Sequence, residues 1–406
     1  IDLRSYDMKI AKRALEISPS LTLELTAKAN KLKAEGRDVV SFGAGEPDFN
    51  TPEYIRDPAK EALDKGMTKY TPASGTAELK KAVCDRFALI NNLIYKPENI
   101  VISNGAKHAL YNALAAVVEE GDEVIIPSPF WLTYPELVKL VGGVPVFVKT
   151  AEENGFKLTA TELENAVTDK TAAVIINNPN NPTGAVYTER EIKALAAVIE
   201  KTNIAVISDE IYEALNYTDK PVYSIASCSE KLKSRTIIVN GVSKTYSMTG
   251  WRIGFTASDA AVAKAISSMQ SHMTSNPNSI AQYASLAAYK GAEGIAFLDE
   301  MKSSFDRRRR LIMKKLDEIP ALSYVKPEGA FYIFVCVKGI FGKSYRGSVI
   351  NSAHELADIL LDAADVTVIP CESFGNGDYI RLSYAVSDED IVKGVERIGR
   401  FVSALE

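Results

Sequence analysis

The sequence predicts an α/β protein: a large domain on a mainly parallel sheet covered by helices on both faces, joined to a smaller α+β domain. Three observations predict it. Between residues 99 and 208, short runs rich in Val and Ile alternate with amphipathic stretches at the spacing of strand–helix–strand units. After residue 301 the texture changes to a long charged helix followed by strands of a different rhythm. With 406 residues the chain has length for two or three domains with sizeable cores. The expected division is a large domain over residues 51–302, a small domain over 21–50 and 303–406, and an N-terminal arm over 1–20.

Each element follows from local pattern. Residues 1–7 have no pattern and read as a tail foreign to the fold, and 8–16 look like an ordinary start. Ser18-Pro19-Ser20 introduces a helix over about 21–34, ended by Gly36. Residues 39–42 form a short strand running into Gly43-Ala44-Gly45-Glu46-Pro47. The two glycines resemble the start of a dinucleotide-binding GxGxxG, but Pro47 follows and no third glycine arrives. The loop reads instead as backbone that something approaches closely. Helices over about 51–65 and 78–91 flank a loop at 70–75. Strand 100–102 leads through Gly105-Ala106-Lys107 into a helix with Ala109, Leu110, Ala113, Leu114, Val117 and Val118 on one face. Strand 124–126 leads past Trp131 into a helix ending at Gly142-Gly143, and strand 144–148 follows. Thr161 and Glu164 offer a capping box, strand 172–176 comes next, Thr188 opens a helix, and strand 204–208 continues the alternation. Strand 237–239 breaks at Asn240-Gly241 into a polar turn. In the smaller domain, residues 324–335, a helix near 353–362 and a strand over 379–384 complete the pattern.

Composition narrows the function classes. The chain is 46% hydrophobic and 24% charged with a net charge of −5, which gives no electrostatic reason to expect nucleic acid as a partner. Cys84, Cys228, Cys336 and Cys371 form no CxxC pair, so neither a disulfide framework nor a zinc site is expected and a reducing cytosol fits. Cys336 and Cys371 read as packing residues. The histidines are scattered: His108 and His272 are expected to flank a site as neutral hydrogen-bonding groups, and His354 to lie at the surface. Four consecutive arginines at 307–310 read as a solvated helix face. No apolar run reaches membrane-spanning length and no signal-peptide pattern opens the chain, so a soluble, unexported protein is expected.

The chemistry-bearing residues stand where successive strands end. Lys244 and Arg252 follow strand 237–239, and an amine beside a fixed cation suits a ligand with a carbonyl and a phosphate. Asp209 and Tyr212 follow strand 204–208, three apart and on one face if a helical turn begins there; a buried Asp209 would need a cationic partner such as a protonated ring nitrogen. The amides of Gly105, Ala106 and Lys107 open a helix and form an anion site, and Trp131 offers a flat face for a ring. Asn177 to Gly184, NNPNNPTG, is either a turn or a site loop. Four kinds of contact converge on one aromatic, phosphorylated aldehyde, which points to pyridoxal 5'-phosphate and away from a nucleotide.

The motifs NNPNNPTG, SDEIYE, SKTYSMTGWRIG and YIRLSYA, in this order, resemble the class I pyridoxal-phosphate aminotransferases of fold type I, from about residue 21 to the C-terminus. The resemblance implies that Lys244 carries the cofactor covalently and Asp209 pairs with its pyridinium nitrogen. Tyr212 and Asn181 would flank its phenolic oxygen, Arg252 and the amides at 105–107 its phosphate, and Trp131 its ring. Tyr70 resembles a residue that reaches a neighbouring subunit's phosphate, which implies a homodimer. Arg381 resembles the clamp for a substrate α-carboxylate, and Gly45 the glycine whose backbone admits that substrate. The family often has serine three residues before the lysine; here Gly241 stands there, and Ser243 is the nearest hydroxyl.

NGAKHAL is similar to a segment of the prokaryotic-type aspartate aminotransferases, which implies that Lys107 meets a distal carboxylate, with Thr22 contributing from the N-terminal segment. L-Aspartate and 2-oxoglutarate are the expected substrates in a ping-pong cycle. Aromatic amino acids or prephenate, and a lyase or decarboxylase on the same fold, are the alternatives. A non-enzymatic regulator is disfavoured because no DNA-binding segment is seen.

Overall fold

The computed structural model describes residues 9–290 and 292–406; the tail expected over residues 1–7 lies outside them, as does Met8. Seven strands form the large sheet: β1 (Ile100–Ser103), β2 (Glu123–Ser128), β3 (Val144–Lys149), β4 (Thr171–Asn177), β5 (Ala205–Asp209), β6 (Thr236–Gly241) and β7 (Gly254–Ala257). Their spatial order is β1-β7-β6-β5-β4-β2-β3. Every neighbouring pair is parallel except those of β7, which runs antiparallel to β1 and β6.

Side chains that alternate along each strand feed two cores. On β5, Ile207 packs with Ala109, Leu110, Ala113 and Leu114 of the helix Ala106–Val117. Its neighbour Val206 packs with Ile192 and Leu195 of the helix Glu189–Ile199 on the other face. With both faces covered, β1 and β6 are buried throughout, which is why they read as continuous Val/Ile runs. The consequence for function is directional: the carboxyl ends of β1, β2, β4, β5 and β6 share one edge, the edge at which open α/β sheets bind ligands.

A second, antiparallel sheet is made of β8 (Ser323–Tyr324), β9 (Tyr332–Cys336), β10 (Ile369–Pro370) and β11 (Tyr379–Ser383), in the order β10-β11-β9-β8. The early strand Val40–Ser41 pairs in parallel with Val366–Thr367. The helix Ala292–Leu316 runs unbroken across residue 302 and sends Met301, Phe305 and Ile312 into a core shared with Phe331, Tyr332 and Leu382. Ile211 and Tyr212, just past β5, belong to that core too. No helix among the described residues is long and apolar enough to cross a membrane.

Four local expectations are corrected. The helix expected over 78–91 is α-helical only over Ala77–Arg86 and becomes a π-turn over Phe87–Asn91. The capping box is made by Thr159 and Glu162, not Thr161 and Glu164: Glu162 Oε2 accepts from the Thr159 N–H at 2.7 Å, and the helix Ala160–Ala166 thereby buries Leu163. Asn240-Gly241 continues β6 rather than breaking it, pairing with Phe255 and Gly254. The arginine run is not all solvated, because four consecutive helical positions sweep about 300° of the helix surface. Arg308 and Arg309 are buried, the first against Asp48 and the second against Asp306 and the Pro327 carbonyl.

Candidate active site

A cavity of about 400 Å³ opens at the carboxyl edge of the large sheet, against the second sheet. Ten residues singled out by sequence line it: Gly45, Ala106, Lys107, Trp131, Asn181, Asp209, Tyr212, Lys244, Arg252 and Arg381. Thr22 and Ser243 line it as well. Gly105, next to Ala106, does not line it. Tyr70 does not reach the wall and is 88% exposed.

Lys244 sits in the turn after β6, and its Nζ donates to the Gly45 carbonyl at 2.5 Å. Burial depresses the amine to about 8; Glu46 opposes that shift, and the charges of Arg252 and Arg381 reinforce it. Asp209 ends β5 at 2% exposure. Its Oδ2 accepts from the Tyr134 hydroxyl at 2.7 Å and its Oδ1 from the Ile211 N–H at 3.2 Å. Burial nevertheless raises this carboxyl to about 6, against those two bonds and the Lys244 charge. Neither hydrogen-bond donor is a cation. Residues 211–214 form a turn and not the first turn of a helix, so Asp209 and Tyr212 face the cavity through a strand end and a turn. The Tyr212 hydroxyl lies 3.0 Å from that of Tyr332.

Arg381 enters from β11 at 2% exposure. It donates to Asn181 Oδ1 at 3.0 Å and to the Gly43 carbonyl at 3.2 Å, while its buried Nε has no partner. Its guanidinium lies 4.3 Å from the Tyr332 ring centroid. None of these neighbours is a carboxylate, so this buried cation is left to meet an anion from solution.

The start of the helix Ala106–Val117 is pressed close by two glycines. A Cβ on Gly105, whose φ is +89°, would stand 2.3 Å from Arg252 Nη2, and one on Gly254 would stand 2.3 Å from the Ala106 nitrogen. Glycine at both places lets the guanidinium and β7 approach the helix N-terminus, where free amides favour an anion. Arg252 is held there by donating to the Thr249 carbonyl at 2.8 Å. Lys107 projects from the same turn, with Nζ 5.0 Å from the Trp131 ring centroid. Partial burial and then Arg252 push its amine below the usual lysine range. Gly241 has its own constraint: a Cβ there would lie 2.8 Å from the Ile253 carbonyl oxygen.

The chain matches the model of the family described as aminotransferase class I and II over residues 37–398. The chain belongs to this aminotransferase family. It is 49% identical to an aspartate aminotransferase of Bacillus subtilis (strain 168), over 97% of this chain and 99% of that one. It is 45% identical to a probable aspartate/prephenate aminotransferase of Aquifex aeolicus (strain VF5), over 96% and 97%. A solved structure of the Thermus thermophilus aspartate aminotransferase with maleate superposes with a TM-score of 0.92 at 38% identity, covering 97% of this chain and all of that one.

The aminotransferase is a pyridoxal-phosphate-dependent enzyme, and its residues fit that group. Asp209 is a buried carboxylate whose partners lack a positive charge, Lys244 is an amine held largely out of water, and a glycine-lined helix start meets Arg252. Sequence reasoning missed Tyr134 and Tyr332 among the site residues. Tyr134 stands one helical turn past Trp131, a legible signal. Tyr332 gives none, because the second sheet brings it to the cavity. His272 is exposed and does not flank the site, and His108 lies behind the wall, its Nδ1 accepting from the Asn104 N–H at 3.2 Å.

Proposed function

We propose that the enzyme exchanges the amino group of L-aspartate with 2-oxoglutarate, giving oxaloacetate and L-glutamate in two half-reactions at one site. The observation that carries this reading is a pair of cations on one cavity wall, the buried Arg381 with Nε unpartnered and Lys107 beside Trp131. Arg381 would clamp the α-carboxylate with two parallel hydrogen bonds, and Lys107 would take the distal carboxylate. The Bacillus subtilis relative and the Thermus thermophilus structure with the dicarboxylate maleate support the same substrate class. The Aquifex aeolicus relative favours prephenate as a second amino acceptor.

Asp209 would hold the pyridinium N–H, Tyr212 and Asn181 the phenolic oxygen, and Trp131 the ring face. Arg252, the amides of Gly105, Ala106 and Lys107, and the Ser243 hydroxyl would hold the phosphate. When bound, the cofactor supplies an aldehyde carbon for the amino nitrogen and a ring that accepts the electron pair left as the Cα–H bond breaks. Lys244 would be the point of covalent attachment, and its amine, when free, would take the substrate Cα proton and return it. An amine near 8 is part neutral at physiological pH, which that role requires. Gly45 lines the cavity beside Lys244 and would admit the substrate there. Thr22 would cover the substrate from the N-terminal segment. The exposure of Tyr70 supports a homodimer in which it reaches the partner's phosphate. Four free cysteines among the described residues support a reducing cytosol as its compartment.

Steady-state kinetics of Lys107→Ala test the substrate reading. KM for L-aspartate is expected to rise about tenfold, the effect of one partly exposed charge contact, while KM for an aromatic amino acid changes little. Equal losses for the two substrates would remove Lys107 from substrate recognition.

A further inference from the structure

Behind the turn that carries Asp209 and Tyr212 lies a buried ion pair with no part in the chemistry above. Glu213 is 8% exposed and follows Tyr212 directly. Arg86 donates to its Oε1, and the Asn91 amide donates to its Oε2 at 3.2 Å. Arg86 ends the α-helix Ala77–Arg86, and Asn91 ends the π-turn Phe87–Asn91. Residues five apart on an α-helix point about 140° away from each other. A π-turn closes i to i+5 and stacks them, so the widened turn is what aims two donors at one carboxylate.

The pair is wedged between two segments. On one side is the turn 210–214, whose internal bonds are local: the Glu213 N–H to the Glu210 carbonyl at 2.9 Å and the Leu215 N–H to the Tyr212 carbonyl at 2.8 Å. The Glu213 side chain ties that turn to a separate helix. On the other side is Tyr289, past the helix Ser279–Ala288, whose ring centroid lies 6.0 Å from the Arg86 guanidinium and 5.6 Å, edge-on, from the ring of Tyr246, two residues after Lys244. The Tyr212 hydroxyl meanwhile has an alternative partner in Tyr332, 3.0 Å away. The gripped turn thus holds this hydroxyl at the cavity wall, within hydrogen-bonding distance of Tyr332.

We propose that Glu213, gripped by Arg86 and Asn91, is a positioning residue that sets the Tyr212 hydroxyl over the cavity and thereby its hydrogen bond to the cofactor's phenolic oxygen. This rests on the role given to Tyr212 above. A turn released from Arg86 moves the hydroxyl off that place and weakens this bond.

The test compares Glu213→Gln, Tyr212→Phe and the double variant by two readouts. One is the pH midpoint at which the visible absorption of the cofactor-loaded protein changes form, and the other is the Tm of the cofactor-free protein. A hydroxyl donated to an oxyanion holds its pKa down, so Tyr212→Phe raises the midpoint by about one pH unit. Glu213→Gln is expected to raise it by about half as much, and the double variant no further than Tyr212→Phe alone. A lower Tm with an unmoved midpoint, or additive shifts in the double variant, would overturn the proposal. If Glu213→Gln does not fold, Asn91→Ala leaves the ion pair in place and is expected to give a smaller rise; no rise there overturns the proposal equally. An unmoved midpoint in Tyr212→Phe removes the Tyr212 assignment and the proposal with it, whereas a rise there and none in Glu213→Gln removes the proposal alone.

Discussion

Arg381 and Arg308 are both nearly buried, at 2% and 9% exposure, yet they are satisfied in opposite ways. Arg308 donates to Asp48 at 2.7 Å and to Asp388 at 3.4 Å, and packs 5.6 Å from the Phe49 ring centroid. Arg381 finds an amide oxygen and a backbone carbonyl, and its Nε finds nothing. A buried guanidinium without an anion raises the free energy of the empty protein and lowers it again when a carboxylate arrives. Asp209 shows the same asymmetry with the sign reversed: its partners are a hydroxyl and an amide, while Asp306 is held by Arg309 and Arg310. Of these four residues, Arg308 and Asp306, which fasten helices and loops together, are paired with opposite charges, and Arg381 and Asp209, which line the cavity, are not.

The largest expected effect comes from the group with no substitute. Lys244→Ala should lower the transamination rate by about 10⁴-fold or more in a coupled assay, because it removes the covalent anchor and the proton carrier together. Turnover within tenfold of the parent would place the proton transfer elsewhere. The two arginines come next and test the comparison itself. Arg381→Met should lower kcat/KM for L-aspartate about 10³-fold and leave the stability of the cofactor-free protein within about 1 kcal/mol or higher. Arg308→Met should do the reverse, lowering stability to urea by about 1–2 kcal/mol with at most a few-fold loss of kcat/KM. Matching profiles for the two variants would erase the distinction.

A further effect, confined to the cofactor-free protein, concerns Asp209 and pH. Its carboxyl rises from 3.8 to about 6 on folding, so between those values the folded chain binds more protons than the unfolded one. Stability of the cofactor-free protein should therefore fall as pH rises from about 4 to about 6 and level off above, a loss on the order of 3 kcal/mol from this group. Asp209→Asn removes that loss. Urea unfolding without cofactor should find the variant more stable than the parent at pH 7.5, with the gap closing toward pH 5; a gap that widens toward acid would contradict the burial account.

Much of this was legible in the sequence for identifiable reasons. Strands buried on both faces write themselves as Val/Ile runs, and the residues at or just past their carboxyl ends, Asp209, Lys244 and Lys107, fall on the cavity wall because a parallel sheet turns all those ends one way. What was not legible depends on distant segments. The widened turn at Phe87–Asn91 carries no local helix breaker and makes sense only with Glu213 opposite. Tyr332 reaches the site through sheet packing, and Arg308 leaves solvent only because Asp48 and Asp388 converge on it. Asn240-Gly241 reads as a turn by composition, but Gly241 is small because β7 runs against it, with the Ile253 carbonyl where a side chain would start.

The most direct measurement of the central claim, that Arg381 and Lys107 leave a site for a dicarboxylic amino acid, is a spectrophotometric panel. Purified cofactor-loaded enzyme receives one amino acid at a time, with the cofactor's visible spectrum and the released oxo acid followed together. L-Aspartate and L-glutamate are expected to convert the aldehyde form to the amine form with one equivalent of oxo acid each, and monocarboxylic aliphatic amino acids to convert it far more slowly. Release of carbon dioxide or ammonia in place of the oxo acid, or equal conversion by monocarboxylic aliphatic amino acids, would contradict it.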